Sequence, residues 1–147
     1  MEASKSVRQL LTDKGGEVRT IAPDATVFEA LEKMAAHDIG ALIVSEGSRV
    51  VGIFSERDYA RKVILHGKAS RDTPVRDIMT SRLIDVTPEK RMEDCMRLMT
   101  EHRIRHLPVM DDGRLVGVVS IGDVVKAVMA EQRFLIEQLE SYIRGAR

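Results

Sequence analysis

Gly117-Val118-Val119-Ser120-Ile121-Gly122-Asp123 reads as an apolar strand ending in a serine, followed by a short step to an aspartate on the first turn of a helix. The same pattern stands 65 residues upstream as Gly52-Ile53-Phe54-Ser55-Glu56-Arg57-Asp58. Each copy brings a hydroxyl, the unpaired N–H groups of a helix start and a carboxylate to one corner, a combination that suits a nucleotide.

The duplication extends well beyond these corners. Moving residues 20–63 onward by 65 lays them on 85–128 without a gap, with the same residue at Pro23/Pro88, Met34/Met99, His37/His102, Ile39/Ile104, Leu42/Leu107, Val44/Val109, Arg49/Arg114, Val51/Val116, Gly52/Gly117, Ser55/Ser120, Asp58/Asp123 and Val63/Val128. So many identities at a constant offset mark an internal repeat, and the repeat decides the architecture. Val7-Arg8-Gln9-Leu10-Leu11-Thr12 answers Val75-Arg76-Asp77-Ile78-Met79-Thr80 at an offset of 68, so each copy begins with a lead-in helix and the first has three extra residues near Gly15-Gly16.

Within each copy a strand near Val18–Ile21 or Leu83–Val86 runs into a proline, a residue suited to starting a helix. Val27, Ala30, Leu31 and Met34 then have the spacing of a buried helix face, and Met92, Cys95, Met96 and Met99 repeat it. Thr26 and Glu29 form a capping-box pattern; Arg91 occupies the matching place in the second copy, so Thr87 or Pro88 is the expected start there. Polar turns at 46–49 and 111–114 join two strands in each copy as hairpins. The predicted fold is α+β: two pseudo-twofold-related units of strand-helix-strand-strand-helix, each with its lead-in, packed sheet to sheet around a cleft, plus a C-terminal helix. The expected boundaries are 1–65 for the first repeat, 66–74 for a linker, 75–128 for the second repeat and 129–147 for the helical extension. In the last, residues 128, 135, 139 and 142 fall near one stripe, which packs either on its own module or on a second subunit.

At 147 residues and 44% hydrophobic, the chain is long enough to bury a core without disulfides or metal, as one globular unit. Lysine plus arginine equals aspartate plus glutamate at 23 each, so no general field draws it to nucleic acid or an anionic membrane, and any phosphate binding must be local. The single cysteine, the absence of an apolar signal-length stretch near Met1 and the absence of a membrane-length run make the cytoplasm the expected compartment.

With the repeat established, the chain resembles a tandem pair of cystathionine-beta-synthase (CBS) domains, a Bateman module of the stand-alone type. The resemblance is carried by the duplicated Gly-h-h-Ser-x-x-Asp signatures (h, apolar) at 52–58 and 117–123, by His-Arg-Ile-Arg-His-Leu-Pro-Val at 102–109 and by Val-Arg-Asp-Ile-Met-Thr at 75–80. It implies a regulatory module that binds an adenine nucleotide, AMP or NAD(H) before ADP or ATP, with Asp58 and Asp123 receiving ribose hydroxyls and Ser55 and Ser120 near phosphate. It places the adenine against Thr20, Ile21, Ala41 and Leu42 in the first site and Asp85, Val86, Leu107 and Pro108 in the second. Phosphate falls to Arg105 and His106, with the helix start at Ile121 and Gly122. The first copy departs here, with Gly40 and Ala41 at the matching places, so Arg57, Arg61 or Lys62 must reach in from the next helix. The resemblance further implies a homodimer and an unidentified protein partner. The alternative is an interaction adaptor with vestigial sites, since similar stand-alone pairs in plants are linked to thioredoxin regulation.

Plainer roles stand beside these. Ser55-x-x-Asp58 and Ser120-x-x-Asp123 also satisfy the capping-box pattern, which explains the serine and the aspartate but not the glycine before them. His102 and His106 are four apart, yet Pro108 breaks the helix a metal pair needs, and no metal is expected. His37 and His102 suit helix C-termini; Cys95 and the methionines at 92, 96 and 99 suit a core. No nucleophile with a base, no paired carboxylates and no phosphate-loop motif is legible, so binding rather than catalysis is expected.

Overall fold

The computed structural model describes residues 5–15 and 17–145. The chain forms two compact units that do not follow its linear order: Glu17–Ile84 is one, and the other combines the N-terminal segment with the chain from Asp85 onward. Each lead-in therefore packs with the repeat that it does not precede.

In the unit 17–84, β1 (Thr20–Ile21) pairs parallel with β2 (Ala41–Glu46), which pairs antiparallel with β3 (Arg49–Ser55). Between β1 and β2 lies α2 (Val27–His37). It begins as the Thr26–Glu29 spacing predicts: the Thr26 hydroxyl accepts from the Glu29 N–H and the Glu29 carboxylate accepts from the Thr26 N–H. Val27, Ala30 and Met34 of α2 meet Leu42, Val44 and Phe54 of the sheet, and the core is completed by Val63, Val75 and Ile78. After β3 the chain makes one helical turn (α3, Glu56–Asp58) that widens into a π-helix over Tyr59–Ile64. Residues near the expected linker dock onto α2, whose first N–H groups donate from Val27 to the Thr73 carbonyl and from Phe28 to the Ser70 carbonyl.

The second unit repeats this plan, with departures from its twin and from expectation. Its sheet has two strands, β4 (His106–Asp111) and β5 (Arg114–Ser120); the strand expected over Leu83–Val86 shrinks to a single parallel bridge from Val86 to Val109. Its helix α4 (Met92–His102) starts later than the expected Thr87 or Pro88, because the Asp94 carboxylate accepts the Arg91 N–H and does the work of a cap from the N3 position. On α4, Met92, Cys95 and Met99 are buried, whereas Met96, expected in the core, is 41% exposed at the edge of the stripe. The last helix, α5 (Ile121–Gly145), is a single 25-residue element. Along the stripe expected on it, Val128 and Leu135 are half-buried while Leu139 and Tyr142 are exposed.

The two lead-ins share a sequence pattern but not a conformation. α1 (Val7–Lys14) is a full helix, opened by a reciprocal Ser6–Gln9 capping box and closed by Gly15 at φ 63°. The second follows Pro74 as one 3-10 turn, Val75–Asp77, then extends so that Thr80 and Ile53 exchange both backbone hydrogen bonds, at 2.8 and 2.9 Å. In both units the lead-in lies on the signature glycine. A Cβ on Gly52 would stand 2.7 Å from Met79 Sδ and 3.0 Å from the Thr80 carbonyl oxygen; on Gly117 it would stand 2.5 Å from Leu11 Cδ2. These contacts explain the glycine that capping leaves unexplained.

The obstacles differ in kind, and so do the expected costs. Leu11 can turn its side-chain end away, but the Thr80 carbonyl is fixed by its bridge, so Gly52→Ala should lie near the top and Gly117→Ala near the bottom of the ~1–3 kcal/mol range for overpacking. Urea unfolding midpoints at unchanged m-value will rank the two.

Candidate functional site

Each corner forms where a strand turns into a helix. In the first, Ala41 on β2 lies opposite Ser55 on β3, and the Glu56 N–H donates to the Gly40 carbonyl at 3.0 Å. In the second, His106 lies opposite Ser120, and the Ile121 N–H donates to the Arg105 carbonyl at 2.8 Å. The backbone scaffolds are thus equivalent at the offset of 65.

Both aspartates serve as caps. The Ser55 N–H donates to Asp58 Oδ2 at 2.9 Å and the Asp58 N–H donates back to Ser55 Oγ at 3.2 Å. At the second corner the Ser120 N–H donates to Asp123 Oδ2 at 2.9 Å and the Asp123 N–H returns to Ser120 Oγ at 3.2 Å.

Beyond the caps the corners diverge. Asp58, 7% exposed, also accepts from the Ser55 hydroxyl at Oδ2 and from the Thr80 hydroxyl at Oδ1, each at 3.0 Å. Lys62 Nζ stands 3.0 Å from the same Oδ1 and donates onward to the Ile78 carbonyl. Four donors fill the lone-pair directions of this carboxylate, and any sugar hydroxyl must displace one of them. Lys62 does reach in from the following helix, but to the aspartate.

At the second corner, the charge comes from α1. Lys14 Nζ donates to Asp123 Oδ2 at 2.8 Å and to the Val118 carbonyl at 3.0 Å. The Ser120 N–H and Lys14 both donate to Oδ2, and the Ser120 hydroxyl also hydrogen-bonds this carboxylate. Burial, the largest influence, works against the charged form of Asp123, but Lys14 and the Ser120 N–H outweigh it and hold the carboxyl below its usual range. His106 is pushed below the ordinary histidine value, first by burial, then by the Lys14 charge, with Asp123 opposing and Arg105 adding to the depression. The second corner therefore brings Lys14, Arg105 and Asp123 within electrostatic reach of His106, a local charged cluster on a chain of zero net charge.

The remaining expected site residues separate by depth. Leu42, Val86 and Leu107 are 1%, 3% and 0% exposed, so their side chains lie within their units' cores, and Pro108 is buried beside them. Thr20 and Ile21 are half-buried on β1, with the Thr20 carbonyl accepting from Lys33 Nζ. Asp85, Arg105, Ile121 and Gly122 are exposed around the second corner, and Arg57 is exposed on α3. Lys14 and Thr80 were not foreseen. Their only signal was the repeated lead-in, which says that a partner segment exists but not which corner it serves. Among the described residues no group of three or more His, Cys, Asp or Glu is placed to hold a metal ion, and no helix is long and apolar enough to cross a membrane.

Comparison with known proteins gives the same architecture. The CBS domain family matches residues 7–65 and 75–130. The chain is similar to CBS domain-containing protein CBSX3, mitochondrial, of Arabidopsis thaliana, 43% identical over 97% of this chain and 73% of that protein. Among solved structures, the CBS domain protein NE2398 shares 49% identity at a TM-score of 0.82, covering 86% of this chain and 98% of that one. A hexameric CBS-CP12 protein from bloom-forming cyanobacteria shares 30% at 0.74, covering 83% and 71%. Two matched segments that together take up most of the sequence, in a fold shared with these structures, show that the chain belongs to the CBS domain family.

Proposed function

We propose that this chain is a regulatory module that binds an adenine nucleotide at its second corner, where Asp123 receives the ribose and Lys14, Arg105 and His106 receive phosphate, while its first corner is a structural cap. CBS-domain pairs are commonly regulatory, binding a ligand or serving as adaptors. The observation that carries the assignment is the difference between the two carboxylates: Asp58 is 7% exposed and enclosed by Ser55, Thr80 and Lys62, whereas the Asp123 side chain is 15% exposed and held by Ser120 and Lys14 beside His106.

Binding has a built-in route to a change of shape. A phosphate draws Lys14 away from Asp123, and the carboxylate then turns to the 2′ and 3′ hydroxyls, which it can accept together. Because Lys14 ends α1 and Asp123 opens α5, the exchange loosens α1 from the helix start it holds. A ligand acts only through its different affinity for the two arrangements, and here that difference lies in the Lys14–Asp123 ion pair. Its consequence is modulation of a partner protein, in the cytoplasm on the compositional grounds given above.

Thermal melts with AMP, ADP, ATP, NAD and NADH test this directly. The active ligand should raise the melting temperature as its concentration grows, with about 2.7 kcal/mol of stabilisation at a hundredfold excess over its dissociation constant. Asp123→Asn should weaken that response at least about tenfold in affinity, the loss of one charge-assisted hydrogen bond. Asp58→Asn should instead cost about 1–3 kcal/mol of stability through its buried network and leave the affinity of the folded protein unchanged. No shift with any nucleotide removes the sensing role and leaves the adaptor.

The depressed His106 gives a pH signature. The imidazole is neutral at pH 7, and a bound phosphate raises its pKa, so binding takes up a proton and affinity rises as pH falls toward and below 6.5. The gain is at most about tenfold per pH unit for one proton. Isothermal titration from pH 8 to 6 should show it for AMP and not for adenosine, and His106→Gln should flatten it.

A further inference from the structure

The two lead-ins are docked alike for most of their length. The Val7 N–H donates to the Lys90 carbonyl at 2.7 Å and the Arg8 N–H to the Pro88 carbonyl at 2.9 Å; the Val75 and Arg76 N–H groups meet the Ala25 and Pro23 carbonyls, both at 2.8 Å. Val7 and Leu10 are buried in one unit as Val75 and Ile78 are in the other. Leu11 lies on Gly117 where Met79 lies on Gly52. With the lead-ins offset by 68 and the repeats by 65, these contacts correspond one by one. The segments part only at the next residue.

Thr80 extends, exchanges both backbone hydrogen bonds with Ile53 and gives its hydroxyl to Asp58. Thr12, its counterpart, stays in a last helical turn, and its hydroxyl turns back to the Arg8 carbonyl at 3.0 Å. The strand position that answers Ile53 is Val118. Ile43 and Ile53, which lie opposite each other, donate away from their pair, to the Arg19 and Thr80 carbonyls. Pro108 and Val118 are the matching pair, and the Pro108 carbonyl likewise faces away, accepting from Val86, so the Val118 N–H and carbonyl point to the outer edge of β5. Among the described residues no backbone bridge falls on Val118; the Lys14 ammonium takes its carbonyl instead. Thr12, Asp13 and Lys14 are exposed, Thr12 is β-branched and α1 has only 8 residues, so the turn has little intrinsic stability. The exposed Lys5–Asp13 pair adds little to it.

We propose that the last turn of α1 is a two-state switch, thrown when Lys14 leaves Asp123: the turn unwinds, Thr12 bridges Val118, and the Thr12 hydroxyl passes from the Arg8 carbonyl to Asp123. The unit Glu17–Ile84 already displays this second arrangement, in the Thr80 bridge to Ile53 and the Thr80 hydroxyl on Asp58. Everything up to Leu11 keeps its docking in both states, so the change is confined to residues that pack on nothing but the corner. The hydrogen bonds exchanged nearly balance, since water serves the groups that lose a partner. What favours the helical turn is the Lys14–Asp123 ion pair, whose side chains are 41% and 15% exposed. In the switched state a helix end becomes an extended edge strand, and the lysine that sealed the corner is released to solvent or to an anion. The inference is independent of the nucleotide reading, because any event that takes Lys14 from Asp123 throws the switch.

Hydrogen exchange at the Val118 amide of the full chain reads the state, with the Ile53 amide, already bridged, as the internal reference. Asp13→Pro forbids the helical turn and drives Thr12 to the extended form. The bridged form accepts a proline there, because Ser81, the counterpart of Asp13, donates no backbone hydrogen bond among the described residues. Asp13→Pro should therefore leave the chain folded and slow Val118 exchange at least about tenfold relative to Ile53. Lys14→Gln, which removes the ion pair and leaves the backbone untouched, should slow it in the same direction. A turn that merely frays would leave Val118 exchanging as fast as before or faster. Slower exchange in both variants establishes the switch; an unfolded Asp13→Pro chain, or a Val118 amide not slowed in one of the two, overturns it.

Discussion

A neighbouring segment can press this closely on a β-strand only where the strand has no side chain in the way, and this chain uses that freedom once in each unit, for backbone and side chain at Gly52 and for a side chain at Gly117. Gly52 lets Met79 and Thr80 settle on β3, and Gly117 lets Leu11 settle on β5. The chemistry of both corners follows from that approach, because each lead-in brings the group that engages the aspartate three residues beyond the strand's serine: the Thr80 hydroxyl to Asp58 and the Lys14 ammonium to Asp123. The signature glycine is thus part of the packing, and its presence beside Ser and Asp says nothing by itself about a ligand.

The repeat made most of the fold legible. An offset of 65 places α2 on α4 and the β2–β3 hairpin on β4–β5, and the structure keeps those pairs to the level of left-handed residues after each helix, Asp38 at φ 52° and Arg103 at φ 55°. The lead-ins were harder to read. Their apolar residues correspond, but Ser6 and Gln9 cap the first into a true helix, whereas Pro74 opens the second and its backbone goes instead to Ile53. As a result Thr12 spends its hydroxyl on the Arg8 carbonyl within the helix, and Thr80, its counterpart in the pattern, reaches Asp58. Periodicity sees the shared apolar positions; it does not see which polar group a capping box or a proline will release.

The same limit explains the unequal corners. Ser-x-x-Asp predicts a cap in both copies and finds one in both. What turns one carboxylate inward and leaves the other among basic groups is decided by residues outside the motif: Lys62 on the π-helix and Thr80 on one side, Lys14, Arg105 and His106 on the other. The duplicated module has in this way diverged at its corners: each carboxylate meets a lysine, but Asp58 is enclosed with Thr80 inside its unit, and Asp123 lies beside His106 and is less buried.

The exchange of lead-ins also sets an order in time. As the polypeptide leaves the ribosome, everything that the unit Glu17–Ile84 needs is present once Ile84 has emerged, including the Val75 and Ile78 that close its core. Helix α1 is made before the unit Glu17–Ile84, yet Val7 and Leu10 have no unit to enter until α4 and β5 follow, so they stay unburied while that unit is synthesised. The contiguous half is free to fold early, and the half that carries Lys14 and Asp123 is assembled only when α1 meets the chain that follows Ile84.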